Sequence, residues 1–93
     1  MTYIVKFNKS ADKEISKLDA ALQLEILIAI ESLMQNPRPV GYKKMSSYKS
    51  EREPNKTCYR IKIKKDYRII YTIEENIVTI TIVKVKHRRE VYK

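Results

Sequence analysis

Between Thr57 and Lys86 the chain alternates apolar and polar residues through three consecutive runs, separated only by Lys64-Lys65-Asp66 and Glu74-Glu75-Asn76. A period of two puts neighbouring side chains on opposite faces, so each run reads as a strand, and connections this short permit only antiparallel neighbours. In the first run Tyr59, Ile61 and Ile63 share one face and Cys58, Arg60, Lys62 and Lys64 the other. In the second, Tyr67, Ile69, Tyr71 and Ile73 oppose Arg68, Ile70 and Thr72. One face of this ribbon is apolar and the other carries the cations. The third run, 77–86, is rich in β-branched residues but changes parity, from Val78, Ile80 and Ile82 to Val83 and Val85. That switch predicts a bulge or strong bend at Ile82-Val83.

The apolar face needs cover, and the first part of the chain supplies it. Residues 2–7 alternate as a further strand, with Tyr3, Val5 and Phe7 on one side. Ser10 is placed to cap a short helix running to about Leu18, with Asp12 and Glu14 set against its dipole. Asp19 caps a second helix, in which Leu22, Ile26, Ile30 and Leu33 together with Leu24, Leu27 and Met34 form a broad apolar stripe. It ends near Asn36-Pro37, where Asn36-Pro37-Arg38-Pro39-Val40-Gly41 is turn chemistry, and Lys43 through Asn55 reads as a polar loop. The expected fold is α+β, a single domain over 1–93 in the order β-α-α-β-β-β. A helical hairpin covers one face of a curved, mainly antiparallel sheet, and the other face stays open.

Charge decides which functions such a surface suits. Twenty Lys and Arg against eleven Asp and Glu leave +9, a surplus that attracts polyanions or an acidic partner. One cysteine forms no internal disulfide, and Cys58 reads as an inert thiol. The start of the chain has no leader-like apolar run and no stretch reaches membrane-spanning length, so a cytoplasmic protein without a membrane partner is expected. One histidine and one cysteine do not make a zinc site, and Gly41 as the sole glycine excludes a glycine-rich phosphate loop. No metal or cofactor is expected.

The remaining candidates are Arg60, Lys62, Arg68, Lys84, Lys86, His87, Arg88, Arg89 and Tyr92, with Lys43 and Lys44 as phosphate contacts or plain loop charges. Such a set suits RNA cleavage, in which the 2′-hydroxyl attacks its own phosphate. The protein has to align it, take a proton, stabilise negative charge and protonate the leaving oxygen. A solvated sheet face is the competing reading of the same alternation, and a non-catalytic nucleic-acid-binding domain is the alternative that net charge alone supports.

The segments Asn36 to Gly41 with Lys43-Lys44, Tyr59-Arg60-Ile61-Lys62-Ile63, Asp66-Tyr67-Arg68-Ile69-Ile70-Tyr71 and His87-Arg88-Arg89-Glu90-Val91-Tyr92, in this order, resemble the RelE/ParE family of toxins from type II toxin–antitoxin pairs. The resemblance spans almost the whole chain and implies the RelE-like microbial RNase fold. It implies one of two activities: metal-independent, ribosome-dependent mRNA cleavage at the A site in the RelE branch, or poisoning of DNA gyrase in the ParE branch. By position, Arg60 and Lys62 resemble the paired basic residues near the attacking hydroxyl. Arg68 resembles the arginine on the scissile phosphate, Arg88 the cation at the leaving group, and Tyr92 the tyrosine that stacks on the substrate. Lys86 or Arg89 could hold the Arg88 role. Lys43, Lys44, Lys64, Lys86, His87 and Arg89 are the further nucleic-acid contacts this implies. The implied partners are a cognate antitoxin, mRNA on the ribosome with contacts to 16S rRNA, and a higher-order toxin–antitoxin complex. The complete basic set favours the nuclease branch.

Overall fold

The computed structural model describes residues 2–46, 48 and 54–91. In chain order these form β1 (Ile4–Phe7), α1 (Lys9–Ser16), α2 (Ala20–Gln35), β2 (Lys43–Met45), β3 (Cys58–Ile63), β4 (Tyr67–Glu74), β5 (Thr79–His87) and α3 (Arg88–Val91). A 3-10 turn at Glu75–Ile77 joins the last two long strands. The five strands make one mixed sheet in the order β1-β5-β4-β3-β2. All neighbours are antiparallel except β1, which runs parallel to β5 with Ile4 opposite Thr79 and Phe7 opposite Ile82.

The expected β-α-α-β-β-β order holds, with additions. Lys43–Met45, expected as loop, pairs with β3 as an edge strand. Three residues are too few for alternation to announce a strand; a neighbour's free edge makes it one. Residues 47 and 49–53 of that expected loop lie outside the described residues. Asn8, not Ser10, occupies the α1 N-cap, and the Ser10 hydroxyl instead donates to Val83 O at 3.1 Å. Asp19 does cap α2, accepting the Leu22 N–H at 2.9 Å. The bulge falls where the parity change put it: Tyr71 faces Ile82 while Ile70 faces Lys84, leaving Val83 as the extra residue.

The core lies between the helices and one sheet face. Ala11, Leu22, Ile26, Ile30 and Leu33 meet Ile61, Ile63, Ile69, Tyr71, Ile80, Ile82 and Val85. The second half of the α2 stripe behaves differently from expectation. Leu24 and Leu27 of that stripe stay exposed, as does Ile28 outside it, because about 100° of rotation per residue carries them away from the row Leu22-Ile26-Ile30-Leu33. The opposite sheet face is not open throughout either. Cys58, Ile70 and Val83 are buried there, with Met45 and Tyr48 packed on them.

Three polar contacts tie distant segments together. The buried Tyr71 hydroxyl donates to Pro37 O at 2.7 Å, fixing the chain where it leaves α2. Tyr3 donates to Glu75 at 2.7 Å, and Arg38 pairs with the same carboxylate. These two bonds hold the Glu75 carboxyl below its usual range, the Tyr3 contribution being the larger. Gly41, at φ +92, takes the left-handed position of the 39–42 turn, which Tyr42 N–H closes onto Pro39 O at 3.1 Å.

Burial pushes the Tyr71 phenol above its ordinary value of 10.0. A raised folded-state value means this contribution is full below about pH 10 and declines as pH rises further, since the unfolded phenol ionises first. Tyr71→Phe is expected to cost about 1–2 kcal/mol at neutral pH, by leaving Pro37 O unpaired. It should also flatten the alkaline loss of stability, measured by urea unfolding between pH 7 and 11.

Candidate functional site

The sheet register lays the basic residues out as a grid on the face away from the α1–α2 core. Lys62 on β3 is opposite Arg68 on β4, which is opposite Lys86 on β5. One step along, Arg60 is opposite Ile70, which is opposite Lys84, and Lys43 on β2 is opposite Arg60. Directly paired residues on adjacent strands share a face with Cβ atoms about 5 Å apart, so neighbouring cations of each row lie side by side. The bulge at Val83 is what allows this. It returns Lys84 and Lys86 to the cationic side and leaves Val85 on the core side.

The members of the grid are held differently. Arg68 is only 6% exposed, and its Nη1 donates to two carbonyls of its own hairpin, Lys65 O and Tyr67 O, each at 3.0 Å. Its Nε is buried without a hydrogen-bond partner, as are Arg60 Nη1 and Thr72 Oγ1. Lys62 is exposed, and among the described residues no carboxylate pairs with Arg60, Lys62 or Arg68. Lys86 does have carboxylates: Glu14 and Glu90, each at 3.2 Å, raise its pKa above the usual lysine value, Glu14 contributing most.

The other expected residues lie elsewhere. Arg88, at the start of α3, is exposed and tied to the β3–β4 turn, its N–H donating to Asp66 O at 2.6 Å and its Nε 3.7 Å from Asp66 Oδ1. Arg89 is exposed, its N–H donating to His87 Nδ1. His87 is opposite Tyr67 and edge-on to its ring, on the core-facing parity. Lys44 is opposite Tyr59, likewise on that parity. Lys64 takes a left-handed turn conformation and reaches Glu25 of α2 at 3.5 Å. Tyr92 lies outside the described residues. Among the described residues no three His, Cys, Asp or Glu side chains come together in a metal-binding arrangement, and no helix is long and apolar enough to cross a membrane.

Sequence reasoning passed over Glu14, reading it only as a first-turn charge. Its signal was helical phase, since it follows Ser10 by four residues and so shares the face that α1 turns to β5.

The fold and the grid define a class: small basic α+β proteins that array arginine and lysine from adjacent strands on one sheet face. Residues 5–92 match the family model described as the ParE toxin of the type II toxin–antitoxin system, parDE. The chain is 30% identical over 94 residues to a RelE-named toxin of Methanocaldococcus jannaschii, covering 98% of this chain and 92% of that one. It is also 30% identical to a RelE-like toxin protein of Escherichia coli over 99% of this chain and 92% of the other. Among solved structures, RelE in the archaeal RelE–RelB complex from Pyrococcus horikoshii superposes with a TM-score of 0.76 at 28% identity, over 95% and 97% of the two chains. Isolated Escherichia coli RelE gives 0.72 at 25% identity, over 97% and 90%. The chain belongs to the RelE/ParE family and is a toxin of the type II toxin–antitoxin class.

Arg68 and Lys62 should separate in stability measurements. Arg68→Ala removes a charged donor from two hairpin carbonyls and is expected to cost about 2–3 kcal/mol. Exposed Lys62→Ala should stay within about 0.5 kcal/mol of wild type in the same denaturant titration.

Proposed function

We propose that this toxin is a metal-independent, ribosome-dependent endoribonuclease that cuts mRNA in the A site, with the Lys62–Arg68–Lys86 row and the adjoining Arg60 as its phosphate-binding centre. The observation that carries the reading is the pair of unsatisfied buried donors, Arg60 Nη1 and Arg68 Nε, in neighbouring rows of a face whose central cations have no carboxylate partner among the described residues. Buried donors without partners are costly, and an RNA phosphate would complete them. Arginine suits that task because it presents several donors in a fixed plane.

In this reading Arg60 and Lys62 align the attacking 2′-hydroxyl and its phosphate, and Arg68 meets the charge that builds on the phosphoryl oxygens. Arg88, at the start of α3 beside the β3–β4 turn, neutralises charge on the leaving oxygen, and Tyr92 stacks on a base. Lys43, Lys44, Lys64, His87 and Arg89 contact the RNA backbone or 16S rRNA around that centre. Lys44 and His87, on the core-facing parity, and Lys64, turned toward Glu25 of α2, would do so from the rim. The 2′ oxygen bonds to phosphorus to give a 2′,3′-cyclic phosphate as the bond between phosphorus and the 5′ oxygen of the next nucleotide breaks; the 2′-hydroxyl proton passes to solvent and the leaving 5′ oxygen takes a proton from solvent.

The partner in this proposal is an antitoxin, as in the RelE–RelB complex from Pyrococcus horikoshii. A net charge of +9 favours an acidic one. Leu24, Leu27 and Ile28 on the outer side of α2 offer it an apolar strip. A cavity of about 310 Å³ is lined by Ala29 and Leu33 of α2, Pro39, Val40, and Ile61 and Ile63 of β3.

The ParE family match keeps gyrase poisoning as the second reading, and one experiment separates the two. Transcript ends are mapped after induction, alongside a gyrase–DNA trapping assay. Cuts within translated codons, reduced about a hundredfold in Lys62→Ala, are expected. Intact mRNA with trapped gyrase complexes would overturn the nuclease reading.

A further inference from the structure

α1 takes over the outer edge of β5 where β1 stops. β1 is in register with Thr79 to Ile82 only, so β5 beyond Ile82 has no strand on that side. Asn8 N–H donates to Ile82 O at 2.9 Å, Ser10 Oγ to Val83 O at 3.1 Å, and Val85 N–H donates to Glu14 Oε1 at 2.9 Å. Three successive contacts from the α1 segment thus stand in for the missing strand. The second Glu14 oxygen, Oε2, is 3.2 Å from Lys86 Nζ, and the Glu14 side chain is 18% exposed.

This sets Glu14 apart from Glu90, the other described acid at Lys86. One oxygen is anchored by a backbone N–H of β5, so the sheet itself sets where the other oxygen sits. Glu90, which also meets Lys86, is 57% exposed on the short α3. Lys86 in turn closes the row in which Lys62 and Arg68 precede it.

We propose that Glu14 is a positioning residue for the toxin's active centre: anchored by Val85 N–H, it sets the Lys86 ammonium at the end of the Lys62–Arg68–Lys86 row, so that Lys86 meets RNA phosphate from a fixed place. The inference rests on the nuclease reading above. A free lysine chain loses rotamer freedom when it orders around a transition state; one already ordered by folding does not lose it at that step. The raised Lys86 pKa agrees, since a lysine kept protonated acts as a donor and not as a base.

The test uses the intact chain with Glu14→Gln, Lys86→Met and the double variant. Glutamine still accepts the Val85 N–H but gives up the charge on Lys86. Glu14→Asp keeps the charge and is too short to reach both partners, so it checks the same role without charge loss. In proton–nitrogen NMR spectra the slowly exchanging Lys86 ammonium signal of the wild type is expected to disappear in Glu14→Gln. On ribosome-bound mRNA, both Glu14 variants are expected to lower kcat about tenfold with KM within about twofold, and Glu14→Gln should add nothing in the Lys86→Met background. Fold-changes that multiply in the double variant, or a Lys86 signal indifferent to Glu14→Gln, overturn the positioning role while the nuclease stands. A wild type that leaves ribosome-bound mRNA uncut overturns the nuclease reading and this role with it.

Discussion

One inserted residue in β5 governs how the two faces of the sheet differ. Up to Ile82 the even-numbered positions of β5 point toward the helices; past the bulge the odd-numbered ones do. Had the strand continued in register, Lys84 and Lys86 would project into a core of isoleucines, and Val85 would face outward. A one-residue slip inverts a strand, and burying two ammonium groups without partners would cost far more than the local distortion of a bulge. The same bulge sits where the edge cover of β5 passes from β1 to α1. One irregularity therefore serves both the sorting of charge and the closure of the edge.

The cationic face is a protected surface as much as an exposed one. Met45 and Tyr48 cover Cys58, Ile70 and Val83, giving the sheet a second, smaller apolar cluster beneath its own loop. Ile70 therefore has cover on the face it shares with Arg60 and Lys84, and Arg68 is drawn inward until its guanidinium braces the β3–β4 hairpin. Basic residues on an ordinary solvated strand point outward and are hydrated. Here Arg68 is buried and incompletely bonded, and Arg60 has one buried donor without a partner. That is the arrangement expected where a protein holds charge ready for an anion instead of displaying it for solubility.

Much of this was legible from residue order. Periodicity of two over 57–86, the parity break near Ile82-Val83 and the Asp19 cap each follow from local stereochemistry, which acts within a few residues and so leaves its trace in a few residues. The family resemblance rested on residues 59–63 and 66–71 of that stretch together with 36–44 and 87–92. Basic residues at alternate positions of β3 and β4 were bound to share a face, because pleating allows nothing else. For that reason Arg60, Lys62 and Arg68 could be grouped before any coordinates were known.

What sequence could not decide were the partnerships between distant segments. Nothing local to Ile4–Phe7 says that it lies parallel to β5, or that Lys43–Met45 becomes a strand; each depends on which edge the rest of the chain leaves free. Helical phase turns Leu24 and Leu27 away from Leu22, Ile26, Ile30 and Leu33, but both sets are apolar, and only the sheet's position decided which of them is buried. Glu14 shows the point most clearly. By itself it is one charge on a short helix, and only its contact with Val85 and Lys86, more than seventy residues away, gives it a place beside the cationic row. Backbone sterics were written in the residue order, whereas the choice among free edges and facing charges was made by the chain folding on itself.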